Sequence, residues 1–81
     1  MEKEYAPADK KYLVSLGKTI MGLAGKNGTS FERLAYESEV SKTYFYKILH
    51  GETNPTILVL RRIAAALEMD VWKLIKMVED N

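Results

Sequence analysis

The apolar residues of this chain recur at helical rather than strand spacing, and polar stretches break them into five runs. Leu13, Leu16, Ile20, Leu23 and Ala24 follow one another at intervals that place them on one stripe of a helix over residues 8–26. Ala6-Pro7-Ala8 suits its start, because proline is tolerated where the first amide lacks a partner, and Gly25-Lys26-Asn27-Gly28 forms a stop and turn. Gly17 and Gly22 each weaken that helix by roughly 1 kcal/mol relative to alanine, so packing must compensate, and Gly17 is expected where another helix approaches closely. The second run is short, with Leu34 and Ala35 inward and two overlapping start signals: Ser30 before Phe31, and Thr29 with Glu32 three residues on. The chain turns at Ser38-Glu39, Val40 supplies an apolar contact inside the turn, and Ser41 caps a third helix over residues 42–50, stopped by Gly51. Thr56 is the expected cap of a fourth helix, residues 57–68, with Leu60, Ile63, Ala64 and Leu67 inward. Asp70 is the expected cap of a fifth, residues 71–78, with Val71, Leu74 and Ile75 inward. No alternation is long enough to pair as strands, and no internal repeat is visible. The pattern predicts an all-α chain with a single domain over residues 8–78, a flexible segment at 1–7 and a frayed tail at 79–81.

The third run sets the functional expectation. At about 100° per residue, Phe45, Ile48 and Leu49 share one arc, while Thr43, Tyr46, Lys47 and His50 lie opposite. One face packs and the other is presented. Lys42 stands at the first helical position, from which a long side chain reaches past the helix end. Two short helices, a tight turn and a basic, aromatic outer face suit the major groove of a DNA duplex.

Over roughly residues 16–75 the chain resembles the lambda-repressor-like (Cro/CI-type, XRE-like) helix-turn-helix family. The marks are Leu16-Gly17, Ile20, Leu23, Gly28 before Ser30, Leu34-Ala35, Val40-Ser41, Gly51, Asn54-Pro55, Leu60, Ile63-Ala64, Leu67 and Leu74. Each is weak alone; their order makes the set specific. The resemblance implies a compact five-helix domain that binds double-stranded DNA for transcriptional regulation, its third helix in the major groove, as a homodimer on a palindromic operator. It also puts Lys42, Thr43, Tyr46 and Lys47 where family members contact bases. Lysine donates to guanine O6 and N7, and threonine offers a hydroxyl or methyl contact; the plainer possibility is that Lys42 and Lys47 touch only phosphates or solvent. Phosphates would meet helix N-termini and loops at Ser30, Phe31, Thr53, Asn54 and Thr56, where free N–H groups gather. Tyr44 either donates its hydroxyl to a phosphate or packs, and His50 lies phosphate-near or solvated at the helix end.

Departures from the family pattern carry their own expectations. Phe31 stands where the family commonly has a glutamine that holds a phosphate through its side chain, so that contact is either lost or left to the backbone N–H. Ala24 and Leu49 replace an arginine–glutamate pair; exchanging both partners for apolar groups is neutral or stabilising, so the two are expected close together. Glu39 replaces a turn glycine and must either accept a left-handed conformation or change the turn type. Leu58 and Trp72 fall on positions usually polar, which suggests a dimer patch with Met69 and Ile75, or else a cover for the N-terminal segment. Arg62 either pairs with Glu68 or solvates its face.

Composition narrows the remaining classes. Hydrophobic content of 47% with 28% charged residues is globular, and 81 residues suffice for one small core. The net charge of +1 is a mark against nucleic acid as a single number, but residues 41–62 carry four cations (Lys42, Lys47, Arg61, Arg62) against Glu52, while 31–40 and 63–81 are each net acidic. With no cysteine and one histidine, no metal, cofactor or catalytic constellation suggests itself, so an enzyme is not expected. No segment resembles a signal peptide or a membrane span, and 81 residues are expected to leave no room for a ligand-sensing domain beside the helical one. The expectation is a cytoplasmic DNA-binding protein with no membrane or small-molecule partner. The alternative is a module of the same fold that docks a protein through Tyr44, Tyr46 or Trp72, with little DNA binding.

Overall fold

The structure, a computed structural model, describes residues 4–80; the expectations for residues 1–3 and Asn81 lie outside it. Five helices follow one another among the described residues: α1 (Pro7–Asn27), α2 (Phe31–Glu37), α3 (Lys42–Leu49), α4 (Ile57–Ala66) and α5 (Val71–Glu79).

Local signals start most of them. Pro7 is the first residue of α1 rather than part of a preceding segment. Of the two start signals before α2, Ser30 prevails: its side chain accepts from the Arg33 N–H at 3.1 Å. Ser41 accepts from the Tyr44 N–H at 3.1 Å and Thr56 from the Val59 N–H at 3.2 Å, each satisfying a donor that the first turn leaves free. Asp70 does not act as expected. Its backbone oxygen accepts from Lys73 and Leu74, but its exposed carboxylate makes no capping hydrogen bond.

The core joins all five helices, and α1 runs through its centre against α3 and α5 while α2 packs on α4. Ile20, Ala24, Leu34, Phe45, Ile63 and Leu74 are fully enclosed. Gly17 occupies the close approach expected of it, because a Cβ there would be driven into the Leu49 carbonyl of α3. Ala24 and Leu49 are both buried in the same core cluster, with no charge left stranded. Val59 and Val78 are buried too, beyond the inward sets that spacing suggested, whereas Val71 and Ile75 are only partly covered. Glu79, expected in a frayed tail, instead closes α5 and accepts a hydrogen bond from the Tyr12 hydroxyl of α1 at 2.9 Å.

Two helices end differently from the sequence reading. α3 stops at Leu49, one residue early, because Gly51 takes a left-handed φ of 68° and the Glu52 N–H returns to the Lys47 carbonyl at 2.9 Å. Lys10 Nζ of α1 also donates to the Gly51 carbonyl at 2.7 Å, fixing the stop to the body of the molecule. α4 stops at Ala66 because Glu68 turns left-handed, at φ 59°. Arg62 is half-buried and, instead of pairing with Glu68, donates its Nε to the Ser38 carbonyl at 3.0 Å, tying α4 to the turn after α2.

Candidate nucleic-acid interface

The turn between α2 and α3 fixes how α3 stands on the body. Glu39 accepts the left-handed conformation, φ 59°, rather than changing the turn type, and the Val40 N–H reaches back to the Ala35 carbonyl at 3.2 Å. With Arg62 holding the Ser38 carbonyl, the turn is tied from α4 as well.

So placed, α3 divides as its spacing implied. Phe45, Ile48 and Leu49 are buried, while Lys42, Thr43, Tyr46 and Lys47 are all exposed. The four expected base-reading side chains therefore share the solvent side of one helix. The helix carries two ammonium groups and no carboxylate. Tyr44 is half-buried and packs against the core, so the packing alternative accounts for much of its ring.

Tyr46 is not a loose surface side chain. Its ring meets Phe31 edge-on, with centroids 6.4 Å apart and planes at 85°, and lies nearly parallel to His50 at 6.5 Å and 24°. His50 is exposed, with Nδ1 2.8 Å from the Tyr46 carbonyl. The sequence marked all three residues separately, but their association needs α2 and α3 docked at this angle.

Around the helix, the expected phosphate positions differ in character. Ser30 and Thr56 are exposed N-caps whose oxygens are engaged with backbone N–H groups. Asn54 is exposed, Thr53 half-exposed, and Phe31 half-buried against the core. An open polar cleft lined by Arg33, Glu37, Glu39, Arg62 and Glu68 includes no residue of α3, so the candidate interface is a projecting surface rather than a pocket. No group of three or more His, Asp or Glu side chains among the described residues could hold a metal ion. No helix among the described residues is long and apolar enough to cross a membrane.

The second candidate surface is only partly as expected. Leu58 and Trp72 are open to solvent, 58% and 60% exposed, and Ile57, which sequence reasoning passed over, is 62% exposed. Met69 and Ile75 are half-buried, because both already pack against the core. Glu4, Tyr5 and Ala6 border a cleft with Asn54 that neither Leu58 nor Trp72 lines.

Comparison with known proteins agrees with this geometry. No family model matches the chain. Over 60 residues, 73% of the chain, it is 38% identical to the HTH-type transcriptional regulator SlrR of Bacillus subtilis (strain 168), and it spans 40% of that protein's length. Among solved structures, it is similar to the restriction-modification controller protein C.AhdI of Aeromonas hydrophila, with a TM-score of 0.73 and 27% identity over 76% of this chain and 94% of that one. The clp gene regulator ClgR of Corynebacterium glutamicum shares the fold at a TM-score of 0.80 and 20% identity, covering 85% of this chain and 73% of the other.

Proposed function

The chain belongs to the XRE-like helix-turn-helix family, and from that premise we propose that it binds double-stranded DNA sequence-specifically in transcriptional control, with α3 in the major groove. The observation that carries this reading is the division of α3: one face buried in the core, the other offering Lys42, Thr43, Tyr46 and Lys47 together to solvent. Lysine Nζ groups are suited to guanine O6 and N7, and the threonine methyl or hydroxyl to a neighbouring base edge. The exposed helix starts near Ser30 and Thr56, the Phe31 N–H, the loop at Thr53-Asn54, and Tyr44 and His50 are the proposed phosphate contacts. Their role is to set register, not to read sequence. The names of SlrR, C.AhdI and ClgR, all regulators or controllers, support transcriptional control over other uses of the fold. A cytoplasmic location, where such a target is found, follows from this reading.

The proposal includes a homodimer on a palindromic operator. Leu58 and Trp72 form its apolar centre, and Met69 and Ile75 line the margin where they emerge from the core. Selection of bound sequences from a random duplex pool tests the reading directly: a palindrome with half-sites about 34 Å apart is expected. Salt provides the second arm. Affinity should fall with a log-log slope of roughly −0.9 per phosphate neutralised, and Lys47→Ala should weaken binding and, if Lys47 meets phosphate, make that slope shallower by about one. A purified protein that ignores every duplex in dilute buffer would end the case and leave protein docking as the use of this face.

A further inference from the structure

We infer that Phe31 is a positioning residue for base reading: with His50 it holds the Tyr46 ring in one attitude, so the sequence preference of α3 depends on a side chain of α2. This rests on the DNA-binding reading above and adds a residue that has no side-chain donor or acceptor of its own. The two ring contacts of Tyr46, edge-on to Phe31 at 6.4 Å and near-parallel to His50 at 6.5 Å, have the spacings at which aromatic pairs attract beyond simple burial. His50 is itself restrained through Nδ1, 2.8 Å from the Tyr46 carbonyl. Phe31 is itself half-buried and packed against the core, so it is a fixed support rather than a second mobile ring.

The consequence is preorganisation. A solvent-facing tyrosine ordinarily loses rotamer freedom when it docks, and a mobile one can swing to accommodate a wrong base. Tyr46 is already restricted in the free protein, yet 39% of it remains exposed, so it is held and still reachable. A fixed ring discriminates because a mismatched base meets it in the wrong place. The ring of Phe31 thus has work separate from that of its backbone N–H, which remains available to a phosphate.

The experiment starts from the duplex that the wild type selects from a random pool, and measures the ratio of affinities for that duplex and a scrambled one. Taking a ratio within one sample cancels any loss of active protein. Phe31→Ala and Phe31→Leu should each lower the ratio roughly tenfold, the scale of one good base contact, with the salt slope unchanged; Phe31→Tyr should restore it. The double variant Phe31→Ala/Tyr46→Ala should be no less selective than Tyr46→Ala alone, because Phe31 acts through that ring. Wild-type selectivity that Phe31 variants leave untouched, or losses that add in the double variant, overturn the inference alone. A wild type that prefers no sequence overturns the DNA-binding reading and the inference together.

Discussion

Gly17 and Gly22 lie five residues apart in α1, carry the same intrinsic helix penalty, and have opposite reasons to be there. A Cβ at Gly17 would sit 2.6 Å from the Leu49 carbonyl carbon and 2.9 Å from the Ile48 oxygen, both backbone atoms that cannot swing aside. Nothing lies within 4 Å of a Cβ at Gly22. Gly22→Ala should therefore stabilise by about 0.5–1 kcal/mol, through helix propensity alone. Gly17→Ala should destabilise by about 1–3 kcal/mol, because α1 and α3 must part to admit the methyl. Urea denaturation of the two variants checks both signs, and equal effects would mean that α3 does not press on Gly17. The sequence told that Gly17 marks a close approach, but not which atoms approach, since those arrive from 32 residues away. Ser38 shows the opposite limit. A serine at a turn reads as solvent-facing, yet it is fully buried and its hydroxyl has no partner among the described residues.

At the scale of the helix, one device ends four of the five. In each, a left-handed residue is followed by an N–H that reaches back five residues: Gly28 with Thr29 to Ala24, Glu39 with Val40 to Ala35, Gly51 with Glu52 to Lys47, and Glu68 with Met69 to Ala64. Glycine adopts that conformation without a Cβ penalty, whereas a side chain in it costs roughly 1–2 kcal/mol. The two glycine stops were legible for that reason, and so were the caps at Ser30, Ser41 and Thr56, whose partners lie three residues away. The Glu68 stop was not, because no local signal announces that packing will hold a glutamate left-handed. This makes Glu68→Gly a stabilising change of about 1 kcal/mol after the added freedom of the unfolded chain is subtracted. The thermal midpoint should rise by about 4–8 °C. A lower midpoint would show that the Glu68 side chain contributes more than its backbone conformation costs.

Across the whole molecule, the contacts that sequence could not supply are those that join distant segments: Lys10 to Gly51, Arg62 to Ser38, and Tyr12 to Glu79, which closes α1 onto α5. The last of these has a pH signature. Partial desolvation of the ring's hydroxyl first, then the hydrogen bond to Glu79 and its charge, push Tyr12 above its ordinary value of 10.0, although the residue is exposed to solvent. The folded state thus holds that proton more tightly than the unfolded chain, so the contribution is complete below pH 10 and is lost as pH rises beyond it. Unfolding titrations should show wild type losing stability relative to Tyr12→Phe above that pH, by a small amount because the pair is exposed. The proposed dimer belongs to the same scale. Trp72 is on α5, which among the described residues makes no contact with α3, so in the proposed dimer a substitution at Trp72 should alter association and leave α3 untouched. Trp72→Glu should sediment as a monomer where wild type dimerises, and should bind the two-half-site operator on the order of a hundredfold more weakly, since the second half-site is no longer engaged from a tethered partner. Its affinity for a duplex carrying one half-site should be unchanged. Equal losses on both duplexes would mean that Trp72 supports the fold of the reader, not its pairing.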